Sequence, residues 1–147
     1  MAAILALYLI DDGYQVGRVV TFGQPRFTTT LGVKSRPLQA LKRVLTRVVD
    51  ENDLVPMLPP ESRRSGQYGP YEHIGREIIL LQGPYYVDLP NHVAAPLSID
   101  DSWRSLATGK LGDHHIADYL ARLSTKLVSA VSAPYQDREK YVARPRK

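Results

Sequence analysis

Arg47-Val48-Val49-Asp50-Glu51-Asn52-Asp53-Leu54-Val55-Pro56 is where the chain passes from a β-branched run into an acidic turn and then a proline. Side chains branched at Cβ favour a pleated surface, so Arg47-Val48-Val49 reads as a strand, and Asp50-Glu51-Asn52-Asp53 as the turn that ends it. Working back from it, Pro37 to Val44 carries Leu38, Leu41 and Val44 at helical spacing and reads as a short amphipathic helix. Before that, Val16-Gly17-Arg18-Val19-Val20-Thr21-Phe22 is a second β-branched and aromatic run, closed by the turn Gly23-Gln24-Pro25. The first ten residues, from Met1 to Ile10, are strong helix formers with Gly13 placed to stop them. Helix, strand, helix, strand is the alternation of an α/β protein with a parallel sheet.

Downstream, Val55 to Pro70 holds Pro56, Pro59, Pro60, Gly66, Gly69 and Pro70, which is too many breakers for a regular element and reads as a long loop. Ile74 to Leu81, with Gly75 inside, and Tyr85-Tyr86-Val87-Asp88-Leu89 read as strands joined by Gln82-Gly83-Pro84, a hairpin or a sheet edge. Ile116, Tyr119, Leu120, Leu123, Leu127 and Val131 recur at three- and four-residue spacing and mark a last amphipathic helix, with Asp113 as its cap.

The 147 residues are 44% hydrophobic and 23% charged, which suits one globular domain or part of one and not a disordered chain. With no Cys there is no disulfide framework, thiolate zinc site or cysteine nucleophile. The longest apolar run, at the N-terminus, is well short of the roughly 20 residues that span a bilayer. It lacks a basic flank and an Ala-x-Ala-like site, so it does not read as a signal peptide either, and the compartment stays open. Its composition predicts a helix buried on most of its circumference. The net charge is +4, but Arg138, Lys140, Arg144, Arg146 and Lys147 against Asp137 and Glu139 place +3 of it after Pro134. The body is close to neutral, which argues against a nucleic-acid partner, and residues 134–147 are expected to form a basic, disordered tail.

Chemistry-bearing side chains gather in two places, Asp53 just past a strand and Asp113-His114-His115 at the start of the last helix. An acid after one strand and a histidine in a later loop is the order of a Ser…Asp…His triad whose serine comes first. Four segments then resemble one family, the class 3 (fungal-type) lipases of the α/β-hydrolase fold. They are Thr21-Phe-Gly-Gln-Pro-Arg26, Arg47-Val-Val-Asp-Glu-Asn-Asp-Leu-Val-Pro-Met-Leu-Pro-Pro60, Tyr71-Glu-His-Ile-Gly-Arg-Glu77, and Asp113-His114 followed by Tyr119. The resemblance runs from Met1 to about Leu123 and implies Asp53 as triad acid and His114 as general base, with His115 the second choice. It implies an ester substrate such as a lipid, contact with a membrane or lipid-droplet surface, and no metal or organic cofactor. His73 is expected to be structural and His92 a surface loop residue.

The departure from the family is the nucleophile elbow, Gly-x-Ser-x-Gly, which the sequence does not contain. Met1-Ala-Ala-Ile-Leu-Ala6 resembles the helix that follows that elbow. The expectation is therefore a partial α/β-hydrolase fold, the C-terminal part of a mostly parallel sheet with flanking helices over residues 1–133, with the nucleophile and oxyanion donors missing. In another triad enzyme, losing the serine alone costs about 10⁶ in kcat, so this chain alone is expected to be inactive. It is also expected to be poorly stable, with a bare sheet edge and first helix. Two other readings compete. One is a non-catalytic lipase-like remnant or partner module. The other is a manganese phosphoesterase, because Asp113-His114-His115 spells that superfamily's Asp-His-His motif, with Asp100-Asp101 as the only further ligand pair.

Overall fold

A computed structural model describes residues 1–59, 70–91, 93 and 114–142. Helix α1 (Ala2–Asp11) leads into strand β1 (Val19–Phe22), a short β2 (Thr28–Thr29), helix α2 (Arg36–Val44) and strand β3 (Leu45–Asp50). There follow β4 (Tyr71–Glu72), β5 (Arg76–Leu80), β6 (Tyr85–Leu89), helix α3 (Ile116–Val128) and β7 (Val131–Ser132), with a final 3₁₀ helix over Tyr135–Tyr141. Five strands form one sheet in the order β1-β3-β5-β6-β7, while β2 and β4 pair antiparallel apart from it.

The centre of that sheet is β3, parallel to β1 through Val19↔Leu45 to Phe22↔Val48 and to β5 through Thr46↔Arg76 to Asp50↔Leu80. A parallel strand covered on both faces has little room for polar alternation, and five of its six residues are buried. One face carries Val19, Leu38, Leu41, Leu45 and Ile74 with Ala3 and Ala6 of α1, and further along Val49, Ile79, Val87 and Leu89. The other carries Val48 and Leu80 against Tyr119 of α3. Burial of a side chain such as Leu41 or Leu45 contributes about 1.5–3 kcal/mol. β6 turns back antiparallel on β5 through Gln82-Gly83-Pro84, where Gly83 has φ +57°, so the expected hairpin is present within a mixed, mostly parallel sheet.

Five expectations change. The strand before Phe22 starts at Val19, not Val16, and the strand expected from Ile74 starts at Arg76. Gly75 sits at φ +90°, and a Cβ there would come within 2.7 Å of the Leu45 carbonyl oxygen, so the chain crosses β3 closely before it can pair. Helix α1 buries only Ala3 and Ala6, and Ile4, Leu5 and Tyr8 are exposed, because α2 and β1 cover one side of it. Val131 belongs to β7 rather than to the last helix: its N–H donates to the Pro84 carbonyl, and that of Ala133 to Tyr86. The residues after Pro134, expected as a tail, are ordered through Tyr141. The Tyr141 ring stacks on Tyr85 at 3.9 Å, its carbonyl accepts from Gln82 N–H, and Arg138 lies buried over the Tyr135 ring. Residues 143–147 lie outside the described residues, as do His92, Asp100, Asp101 and Asp113.

Candidate active site

The acidic turn after β3 is built from its own backbone. The Asp53 N–H donates to the Asp50 carbonyl at 3.0 Å, and the Asn52 N–H to Asp50 Oδ1 at 3.0 Å. The Asp53 side chain is then fully buried, its Oδ1 accepting from the Val55 N–H at 2.9 Å. A short 3₁₀ turn, Val55–Met57, begins at that bond, with Met57 N–H donating to Leu54 O and Leu58 N–H to Val55 O.

His114 reaches this carboxylate from the start of α3, with Nδ1 at 2.7 Å from Asp53 Oδ2. The Asp53 carboxylate accepts, so Nδ1 carries the proton and the Nε2 lone pair is left for another partner. The His114 side chain is 41% exposed while Asp53 is 0%, which sets a buried acid behind an accessible ring. The same Oδ2 accepts from the Tyr119 hydroxyl at 2.6 Å, and that hydroxyl accepts from the Asp50 N–H at 3.1 Å. Burial, then the bond to Asp53, pushes the Tyr119 hydroxyl far above its ordinary range, so it remains a donor at any working pH. Tyr119 is held in turn by the edge of Phe22, ring centres 5.8 Å apart, and Arg122 one turn on pairs with Asp50.

Gly23, at φ +57°, closes the site from the end of β1. A Cβ there would lie 2.5 Å from His114 Cε1 and 2.8 Å from Asp53 Oδ2, so the backbone itself is in contact with the pair. The sequence-predicted Asp53 and His114 are therefore in contact, whereas His115 sits at the start of α3 and is exposed. Sequence reasoning missed the roles of Gly23, Asp50, Tyr119 and Arg122 here. Gly23, Asp50 and Tyr119 each lie in a segment that carries the family resemblance, but nothing local in the sequence points to their contacts.

Removing the hydroxyl of Tyr119 while keeping its ring, Tyr119→Phe, leaves a buried carboxylate short of one bond and the Asp50 N–H without its acceptor. A hydrogen bond to a charged group is worth about 1.5–3 kcal/mol, and we expect a loss of that size, read as a lower denaturant midpoint at unchanged slope.

On the opposite face of the sheet a cavity lies behind Asp53, lined by Arg26, Asp50, Glu51, His73 and Glu77 with apolar Met57 and Leu89. His73 is buried there with Nε2 at 2.6 Å from the Pro56 carbonyl. Burial, then the nearby Arg47 and Arg26 cations, hold its imidazole well below the usual histidine range. A pKa lower in the folded than in the unfolded chain means that the unfolded state takes up the proton first. Stability from this group is thus complete above about pH 6.5 and falls as pH drops below it, by at most about 1.4 kcal/mol per pH unit. Thermal melts from pH 7.5 to 5 should show that fall, and His73→Gln should flatten it.

Among the described residues no group of three or more His, Cys, Asp or Glu side chains is arranged to hold a metal ion. No helix of the described residues is long and apolar enough to cross a membrane.

The mostly parallel sheet with flanking helices is compatible with an α/β fold, and the Asp–His pair lies past the strand ends, at the carboxyl edge where such sheets carry ligand sites. Residues 1–63 match the family model for Lipase (class 3), so this first part of the chain is similar to that family. No curated protein and no solved structure matches the chain.

Proposed function

We propose that Asp53 and His114 are the acid and base of a serine-type carboxylic ester hydrolysis acting on lipid esters, the nucleophile being brought to His114 Nε2 by polypeptide these 147 residues do not contain. The observation that carries the reading is the 2.7 Å contact from His114 Nδ1 to a fully buried Asp53 carboxylate, in a chain whose residues 1–63 match the class 3 lipase model. With its proton on Nδ1, the ring can take the proton of an attacking hydroxyl at Nε2 and return it to the leaving alcohol. Asp53 fixes the tautomer and stabilises the imidazolium as it forms.

The 147-residue chain alone should hydrolyse a p-nitrophenyl ester no faster than free imidazole at equal concentration. Adding in trans a class 3 lipase segment that carries the strand, the Gly-x-Ser-x-Gly turn and its oxyanion donors should raise the rate. That gain should vanish with Asp53→Asn or His114→Ala. Hydrolysis indifferent to both substitutions would overturn the assignment. The non-catalytic reading gains if the complemented complex forms yet stays inert.

A further inference from the structure

The cavity behind Asp53 is bounded by two buried side chains that the acid–base reading does not use, Arg26 and His73, and both spend their hydrogen bonds on the same short stretch of backbone. His73 Nε2 meets the Pro56 carbonyl at 2.6 Å. Arg26 Nη1 donates to the carbonyls of Met57 at 2.5 Å and Pro59 at 3.0 Å, and its backbone N–H to Leu58 O at 2.8 Å. That stretch is the turn whose first amide, Val55 N–H, fixes Asp53 Oδ1. Arg26 and His73 are themselves placed by the β2–β4 ribbon, which starts two residues after Arg26 and ends one residue before His73.

We propose that His73 and Arg26 are positioning residues for Asp53, holding the Val55–Pro59 backbone by its carbonyls so that the Val55 amide keeps the carboxylate turned toward His114. The inference rests on the reading of Asp53 and His114 as acid and base and extends it to two residues that touch neither reacting atom. The geometry leaves little slack. Asp53 Oδ2 already serves both His114 and Tyr119, so a carboxylate freed at Oδ1 can rotate only by giving up one of them. His73 acts here as a neutral donor. Around it stand Arg47 of β3, Arg26 beyond β1, Glu77 of β5 and the cavity carboxylates Asp50, Glu51 and Asp53, and its Nδ1 has no hydrogen-bond partner among the described residues. A second proton would place a third cation beside Arg26 and Arg47, while Glu77 is already engaged by Arg47 at 3.0 Å.

The test reads the pair directly, without a nucleophile. In the ¹⁵N-labelled 147-residue chain, the hydrogen-bonded His114 Nδ1–H should give a downfield proton resonance, and Asp53→Asn should abolish it. His73→Ala should broaden that resonance and speed its exchange with solvent roughly tenfold or more, as expected for the loss of about 1.4 kcal/mol of local order. His73→Gln, whose amide can still donate to the Pro56 carbonyl, should restore it. Arg26→Lys, which keeps the charge and gives up the fork to two carbonyls, should act like His73→Ala and serves if that variant does not fold. A merely structural role predicts lower melting temperatures with the resonance unchanged wherever the variants are folded, and that result overturns the proposal. If Asp53→Asn leaves the resonance intact, the acid–base reading itself fails, which is a different outcome.

Discussion

Arg47→Met should lower the melting temperature by roughly 10 °C, the largest stability effect we expect of any single substitution here. Arg47 is fully buried on the central strand, its guanidinium 3.0 Å from Glu77 Oε2 and its Nε donating to the Ile74 carbonyl at 3.1 Å. Removing it strands a carboxylate that is only 7% exposed, and breaking a buried pair in this way costs about 3–5 kcal/mol, against total stabilities of about 5–15. The paired change Arg47→Met with Glu77→Leu should recover most of the loss, because it removes both desolvated charges at once. Circular dichroism melts of the three chains decide it: a single variant as stable as the parent would mean that the pair holds nothing.

Gly23→Ala should act on the site more than on the fold. The new methyl would fall 2.5 Å from His114 Cε1 and 2.7 Å from Nδ1, at a backbone φ of +57° that an L side chain adopts at some cost. Asp53 is fixed by three bonds in the interior, while the His114 ring is half exposed at a helix start, so the ring is the group that yields. With Asp53 no longer in contact His114 loses its fixed tautomer, a loss that costs the base of another triad enzyme about 10⁴ in kcat. In the complemented hydrolysis assay we expect a loss of at least about 10³, with a melting temperature within a few degrees of the parent. Full activity in Gly23→Ala would show that the close approach is not needed.

The elements that were legible in the sequence are those whose pattern is local. Leu38 and Leu41 alternate with polar neighbours at helical spacing and are buried as that spacing requires, and the β-branched run ending at Val49 became the central strand. The two side chains that meet, Asp53 and His114, were also singled out by the sequence, because each sits at an element boundary beside a short motif. What was not legible is set by partners distant in the chain. Val131 fits the period of α3, yet its N–H found the Pro84 carbonyl, and no periodicity reports a strand waiting 40-odd residues upstream. Counting charges after Pro134 marked a solvated tail, whereas Arg138 lies buried on Tyr135 and within 3.8 Å of Glu51. Composition suggested a first helix enclosed on most sides, but only its alanine side meets α2 and β1. Tyr119 read as one more apolar position of a helix and as part of the segment resembling the family's catalytic-histidine stretch, with no role given to its hydroxyl. Its hydroxyl makes it a bridge between Asp50 and Asp53, a role visible only once β3 and α3 are adjacent.

The distance along the chain between the members of this cluster also bears on the order in which the molecule assembles. Asp53 and His114 are separated by 61 residues, and Asp50 and Tyr119 by 69, while α2 runs directly into β3 and β5 turns straight back as β6. Closing a long loop is entropically costly until the surfaces it joins already exist, so contacts of this span form after the local hairpin and helix. The imidazole–carboxylate contact is thus among the last events of folding. In a refolding experiment the His114 resonance should follow, and never precede, protection of the β3 amides.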